Sequence, residues 1–210
     1  RIEHDAGDLP ALREALALSR WDLFGHSWGG GIAMLAAAAD PDGVRRLVLA
    51  DPVGVTGDWL PGMHARGAAH LRATDPAAAD ALAALDPARL REIDPAYHTA
   101  YARAFYPAWF ADPALPAAFA APTTDTLTGT AVAARLRRDG YDWRDALRAL
   151  RAPTLVLHGD ADVLPAEVSW RTVKHLPAAR LFVLAECGHM PSWEAPDRCC
   201  PLVERFLRDG

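Results

Sequence analysis

The stretch Trp21-Asp-Leu-Phe-Gly-His-Ser-Trp-Gly-Gly-Gly31 constrains this chain more than any other. Trp21 to Phe24 reads as a short strand, and Ile32 to Ala39 as the body of a helix. Between them, Gly25-His26-Ser27-Trp28-Gly29 must turn the backbone within a few residues. So sharp a turn strains the serine, and glycine at 25 and 29 removes the Cβ atoms expected to collide there. Ser27 then stands at the end of a strand and the start of a helix. There the Trp28 N–H and the positive end of the helix dipole can meet a developing oxyanion. Gly-x-Ser-x-Gly alone arises by chance in roughly one 200-residue chain in fifteen. The flanking strand and helix give it weight, because they are the setting in which a nucleophilic serine is presented.

The rest of the chain is read outward from that turn. Upstream, Asp8 is expected to cap a helix, with Pro10 in its first turn and Leu9, Leu12 and Leu16 on one face. Downstream, Asp40-Pro-Asp-Gly43 stops the second helix and Arg46-Leu-Val-Leu-Ala50 is a buried-type strand ending at Asp51-Pro52. Helix, strand, helix, strand with short joints predicts an α/β fold with a parallel sheet. From Val53 to about Arg144 the strand-type runs stop, Pro and Ala become frequent, and aromatic residues cluster between Tyr97 and Phe110. This predicts an inserted helical region. Tyr97, Tyr101 and Phe105 share one face, for packing, for lining a pocket, or for both.

At Ala152-Pro153 the alternation resumes. Thr154 to His158 is a strand, a helix starts near Pro165, Arg180 to Leu184 is a strand, and the last helix starts near Pro196. That helix carries Leu202, Val203, Phe206 and Leu207 on one face. The expected division is a core over 1–52, a helical cap over 53–144 and the remaining core over 145–210.

Composition excludes several classes. A net charge of −5 offers no basic surface for nucleic acid. No apolar run is long enough to span a membrane. Cys187, Cys199 and Cys200 have no metal-ligand spacing and read as reduced thiols, Cys199 and Cys200 as buried ones on a helix. No metal or organic cofactor is expected, and a cytoplasmic location is the reading that reduced thiols favour.

Two further loops follow strand ends, where open α/β sheets gather ligands. One holds Asp160 and Asp162; the other holds His189. The order serine, aspartate, histidine is that of a Ser-His-Asp triad on an α/β sheet. A serine hydroxyl needs a base, His189 can be that base, and a carboxylate can fix the imidazole's tautomer. Asp162 is preferred to Asp160 because it lies further past the strand end. His26 and Trp28 flank the serine as pocket walls, and His158 is expected to be packed at its strand end.

Gly25-His-Ser-Trp-Gly-Gly30, Pro153-Thr-Leu-Val-Leu-His-Gly-Asp-Ala-Asp162 and Cys187-Gly-His-Met-Pro-Ser-Trp-Glu-Ala-Pro196 resemble the α/β-hydrolase superfamily. The segment from Asp94 to Pro113 is similar to the cap of its proline-iminopeptidase-like members. The resemblance implies a serine hydrolase that cleaves an amide or ester through an acyl-enzyme, in the first place a proline-iminopeptidase-like aminopeptidase, with Ser27, Asp162 and His189 catalytic and Trp28 supplying an oxyanion N–H. Trp109 and Tyr106 join His26 as expected substrate contacts. An epoxide hydrolase or haloalkane dehalogenase would carry Asp in place of Ser27. Iminopeptidases hold a free amine with cap carboxylates, for which Glu92, Asp94 and Asp112 are candidates. A carboxylesterase and a non-catalytic ligand-binding homologue are the alternatives. The family's first strands and second oxyanion donor have no counterpart here. The chain is therefore expected to lack an N-terminal part, which would be a partner beside a small-molecule or short-peptide substrate.

Overall fold

The computed structural model describes residues 2–119 and 126–208. Four parallel strands lie side by side in the order β1-β2-β3-β4: β1 Trp21–His26, β2 Val44–Ala50, β3 Thr154–Gly159 and β4 Ala179–Leu184. The register pairs Gly25 with Leu49 and Leu49 with Val156, so the ends of β1, β2 and β3 converge at one rim of the sheet. Leu47, Leu49, Val156 and Leu157 are fully buried in the two central strands, as expected for strands covered on both faces.

Two layers cover that sheet. On one face α1 (Ile2–Ala15) and α2 (Trp28–Ala39) pack with Val53, Trp59, Trp143 and Leu147. On the other, Val48, Leu155 and Leu157 meet α9 (Pro196–Arg208) through Leu202, Val203, Phe206 and Leu207, the stripe expected from its spacing.

Between β2 and β3 lie α3 (Met63–Thr74), α4 (Pro76–Ala83), α5 (Pro95–Phe105) and α6 (Leu127–Asp139). They share a core of their own, formed by Leu71, Ala79, Leu82, Leu90, Tyr101, Phe105 and Ala108. Val163, from the loop after β3, packs into it. Side-chain caps explain where several of these helices begin: Asp75, Asp94 and Thr126 each accept a hydrogen bond from a backbone N–H of the first turn. Tyr101 and Phe105 are buried in that core, whereas Tyr97 packs at its edge and donates from Oη to the Asp86 carbonyl, 2.8 Å away. Two short helices complete the chain order, α7 (Ala166–Val173) and α8 (Pro191–Glu194).

Three local expectations are corrected. The first helix begins at Ile2, so Asp8 lies inside it and caps nothing. Burial decides the boundary, because Ile2 and Ala6 pack into the core while Leu12 and Leu16 remain 48% and 56% exposed. Gly29 is not a steric requirement: a Cβ there would meet nothing within 4 Å. A Cβ on Gly30 would sit 2.8 Å from Pro52 Cβ, so the crowding falls one residue later. Of the adjacent cysteines, Cys199 is buried but Cys200 is exposed, and both are free, as is buried Cys187.

Among the described residues, nothing pairs with the outer edge of β1, where Phe24 is 53% exposed. No described helix is long and apolar enough to cross a membrane.

Candidate active site

Ser27 joins β1 to α2 with φ 54° and ψ −122°, a conformation that costs a non-glycine residue energy. The surroundings hold it there. Its N–H donates to the Ala50 carbonyl at 3.0 Å, and its carbonyl accepts from Gly30 at 2.9 Å and Val53 at 3.2 Å. Gly25 is required, because a Cβ would sit 2.4 Å from the Gly29 carbonyl oxygen. The Trp28 N–H opens the helix and has no partner within it.

His189 lies in the loop after β4. Its Nδ1 and Asp162 Oδ2 are 2.7 Å apart, with both side chains almost wholly buried. The carboxylate accepts, so Nδ1 carries the proton and Nε2 is left with a lone pair. Two rings clamp the imidazole: Trp109 is stacked at 4.1 Å and His26 sits at 4.8 Å between centroids. The His189 N–H donates to the Trp109 carbonyl at 2.6 Å, and His26 Nε2 donates to the His189 carbonyl at 2.7 Å. That contact ties the serine turn to the histidine loop. Among the described residues, Ser27 Oγ itself makes no hydrogen bond.

Burial sets the protonation states. It pushes His189 down to about 4, against an opposing pull from Asp51 and Glu194, so the ring is neutral at neutral pH. Burial lowers His26 to about 4 as well, with the nearby His189 adding to the effect. Asp162 is pushed up by burial, while the Leu164 N–H, which it accepts at 2.9 Å, favours its charged form.

The expected residues divide as follows. Asp162, not Asp160, reaches His189; Asp160 is exposed, with only a long 3.4 Å contact from the Cys187 N–H. His26, Trp28 and Trp109 stand at the site. Tyr106 does not. It is buried, packed edge-on against Phe110 at 5.2 Å, because the turn after α5 points it into the interior. His158 is packed as expected: Nε2 donates to the Leu164 carbonyl, and Nδ1 accepts from the Ser169 hydroxyl, each at 2.8 Å. His98 on α5 is buried as well.

Three contributors escaped the sequence reading. Glu194 gathers three N–H groups, from Ala111 at 2.8 Å, Gly188 at 3.0 Å and Met190 at 3.0 Å, and so fixes the histidine loop against the cap. Arg66 on α3 donates to the Val163 carbonyl at 2.7 Å, holding the acid loop from the other side. Asp51, fully buried with φ 42°, accepts from the Gly159 N–H at 2.8 Å. Its other oxygen has no partner, and burial pushes its pKa well up. Its position directly after a central strand was the available signal.

Asp51, His158 and Asp162 place potential ligand atoms within 4.8 Å of one another. Both nitrogens of His158 are already bonded, and so are both oxygens of Asp162. The cluster is an interior hydrogen-bond network, not a vacant coordination shell.

Next to the site, and reaching it through Trp28 and Trp109, is a cavity of about 390 Å³ between α2 and the helices inserted between β2 and β3. Trp28, Ile32, Trp109, Tyr101, Phe105 and Leu136 supply its largely apolar wall. Tyr101 and Phe105 of the α5 stripe therefore both pack the helices between β2 and β3 and line the cavity, while Tyr97 does only the first.

A parallel α/β sheet, a strained serine at a strand–helix turn and a buried histidine–aspartate pair define the class: an α/β hydrolase fold. Residues 1–196 match the family model described as "alpha/beta hydrolase fold", and the chain belongs to that family. A 2-hydroxymuconate semialdehyde hydrolase from Pseudomonas putida is 30% identical over 224 residues, an alignment covering 100% of this chain and 68% of that one. A proline iminopeptidase from Lactobacillus delbrueckii subsp. lactis is 30% identical over 200 residues, covering 88% of this chain and 64% of its own. The structure of a thermophilic esterase from Thermogutta terrifontis is 25% identical with a TM-score of 0.64, covering 99% of this chain and 72% of that one. This chain thus spans about two thirds of the length of these relatives.

Proposed function

We propose that the protein is a serine hydrolase that cleaves a small-molecule ester, or a similarly activated acyl bond, through an acyl-enzyme. The hydrogen bond of 2.7 Å between His189 Nδ1 and Asp162, tied to the Ser27 turn through His26, carries this reading. Ser27 Oγ attacks the carbonyl carbon while His189 Nε2 takes its proton. The same proton goes to the leaving group as the tetrahedral intermediate collapses. Water then attacks the acyl-enzyme with His189 again as base, and Ser27 recovers its proton. Asp162 shares its hydrogen bond with Nδ1 throughout and holds the tautomer. The Trp28 N–H faces the oxyanion, one donor of this kind contributing about 10²–10³-fold in kcat.

A small-molecule ester is favoured over a peptide amine because the candidate amine-binding carboxylates are engaged elsewhere. Asp94 caps α5 and pairs with Arg89 at 3.0 Å, Glu92 lies 3.7 Å from the same arginine, and Asp112 accepts from Ala114. None of them lines the cavity. Aminopeptidase activity is the second reading, favoured by the iminopeptidase relative. Paired assays with p-nitrophenyl esters and proline β-naphthylamide separate the two. Ester turnover should be much the faster; rapid amide cleavage that blocking the substrate's amine abolishes would reverse the assignment.

The acid limb of activity follows from His189. The neutral ring is the base, so kcat/KM should stay flat from pH 7 down to about 5. It should fall with unit slope as pH drops through about 4, where the ring takes up its proton. Initial rates after brief pH jumps measure this. A limb centred near 7 would mean that His189 is not desolvated in the working enzyme.

A further inference from the structure

We propose that Arg137 is the receptor for a carboxylate on the substrate, so that the cavity selects acyl chains ending in an acid over neutral chains of equal length. This rests on Ser27 being the nucleophile at the cavity's edge.

Arg137 lies in the last turn of α6 and faces the cavity. It is the single arginine or lysine lining that cavity among the described residues. Five N–H donors belong to a guanidinium. The one hydrogen bond that Arg137 makes among the described residues is long, 3.3 Å, from Nη1 to the Ala133 carbonyl of its own helix. No described carboxylate lies within ion-pair distance of it. Other sheltered arginines are satisfied: Arg13 by Asp40 at 2.7 Å, Arg66 by the carbonyls of Val163 and Trp59 at 2.7 and 2.8 Å. Desolvation pulls the pKa of Arg137 down, which marks a charge removed from water without an ionic partner.

The surroundings favour an anionic ligand. Asp5 is the one acidic side chain along the cavity among the described residues, and it is exposed on α1. His98 donates from Nε2 to the Glu92 carbonyl at 3.0 Å, and burial lowers its pKa, so it stays neutral. The wall between Arg137 and the serine is apolar and aromatic. Trp28 follows Ser27 directly, and Trp109 stacks on His189. An apolar chain suits that wall, and a carboxylate at its end could take a two-pronged hydrogen bond from the guanidinium. A substrate ammonium would meet the like charge of Arg137.

The test compares mono-p-nitrophenyl glutarate with p-nitrophenyl pentanoate, two five-carbon acyl chains that differ in the terminal carboxylate. The wild-type protein should prefer the glutarate ester by about tenfold or more in kcat/KM. Arg137→Gln should lower kcat/KM for the glutarate ester by about 10- to 100-fold, mainly through KM, and change the pentanoate ester less than about threefold. Arg137→Lys, which keeps the charge but loses the fork, should recover part of the loss. Equal losses on both esters, or no preference in the wild type, would overturn the proposal. Calorimetric titration of the protein with glutarate reads Arg137 without turnover. Saturable binding that Arg137→Gln removes supports the receptor even if neither ester is cleaved, in which case the serine mechanism alone has failed. Absent binding with active ester turnover rejects the receptor and leaves the mechanism standing.

Discussion

Ser27→Ala should lower kcat by about 10⁴-fold or more while leaving the fold and substrate affinity nearly unchanged. The hydroxyl is the only atom removed. Ser27 Oγ makes no hydrogen bond among the described residues, so its loss leaves none of them without a partner. The backbone strain at φ 54° is unaltered, because alanine retains the Cβ. Steady-state kinetics beside a thermal melt tests both halves of this expectation. Activity within tenfold of wild type would place the nucleophile elsewhere. A collapsed melting temperature would mean that the hydroxyl contributes to structure.

The second large effect falls on a residue that touches no substrate. Gly159 ends β3, and a Cβ there would lie 2.1 Å from the Gly188 carbonyl oxygen and 2.2 Å from that of Cys187. Both atoms are backbone, so Gly159→Ala cannot be absorbed by rotating a side chain. The loop carrying His189 must move away from the loop carrying Asp162. Two hydrogen bonds resist that movement: Asp160 N–H to the Leu184 carbonyl at 3.0 Å and Ala161 N–H to the Cys187 carbonyl at 2.9 Å. Overpacking of this kind costs about 1–3 kcal/mol or somewhat more. A displacement of about 1 Å at a reacting centre can cost 10²-fold in rate. Gly159→Ala should therefore both lower the midpoint of urea unfolding and reduce kcat about a hundredfold in the protein that remains folded. Wild-type kinetics in this variant would show that the two loops tolerate separation.

How much of this was legible in the sequence follows from what kind of force fixes each part. The strands, α9 and the turn at Ser27 are set by short-range patterns: apolar runs bounded by breakers, a stripe at helical spacing, glycine at a crowded turn. All were readable. The choice of Asp162 over Asp160 was also local, because distance past the strand end decides which carboxylate can reach the next loop. What could not be read depends on long-range packing. Ile2 and Ala6 extend α1 because α2 is there to bury them. Tyr106 turns inward because Phe110 receives it. Gly29 proved roomy and Gly30 tight because Pro52, far along the chain, presses on one and not the other. Asp51, Arg66 and Glu194 act across loops through backbone atoms, which carry no residue-type signature. Nor does the sequence say that Arg137 has no carboxylate at ion-pair distance among the described residues, which emerges only in three dimensions.

The measurement closest to the central claim is intact mass spectrometry of the protein before and after a fluorophosphonate probe, with peptide mapping of the adduct. The account predicts a single adduct on Ser27, lost in Ser27→Ala and strongly slowed when His189 is replaced. An unlabelled protein, or an adduct on any other residue, would contradict it and leave the α/β-hydrolase fold without an armed serine.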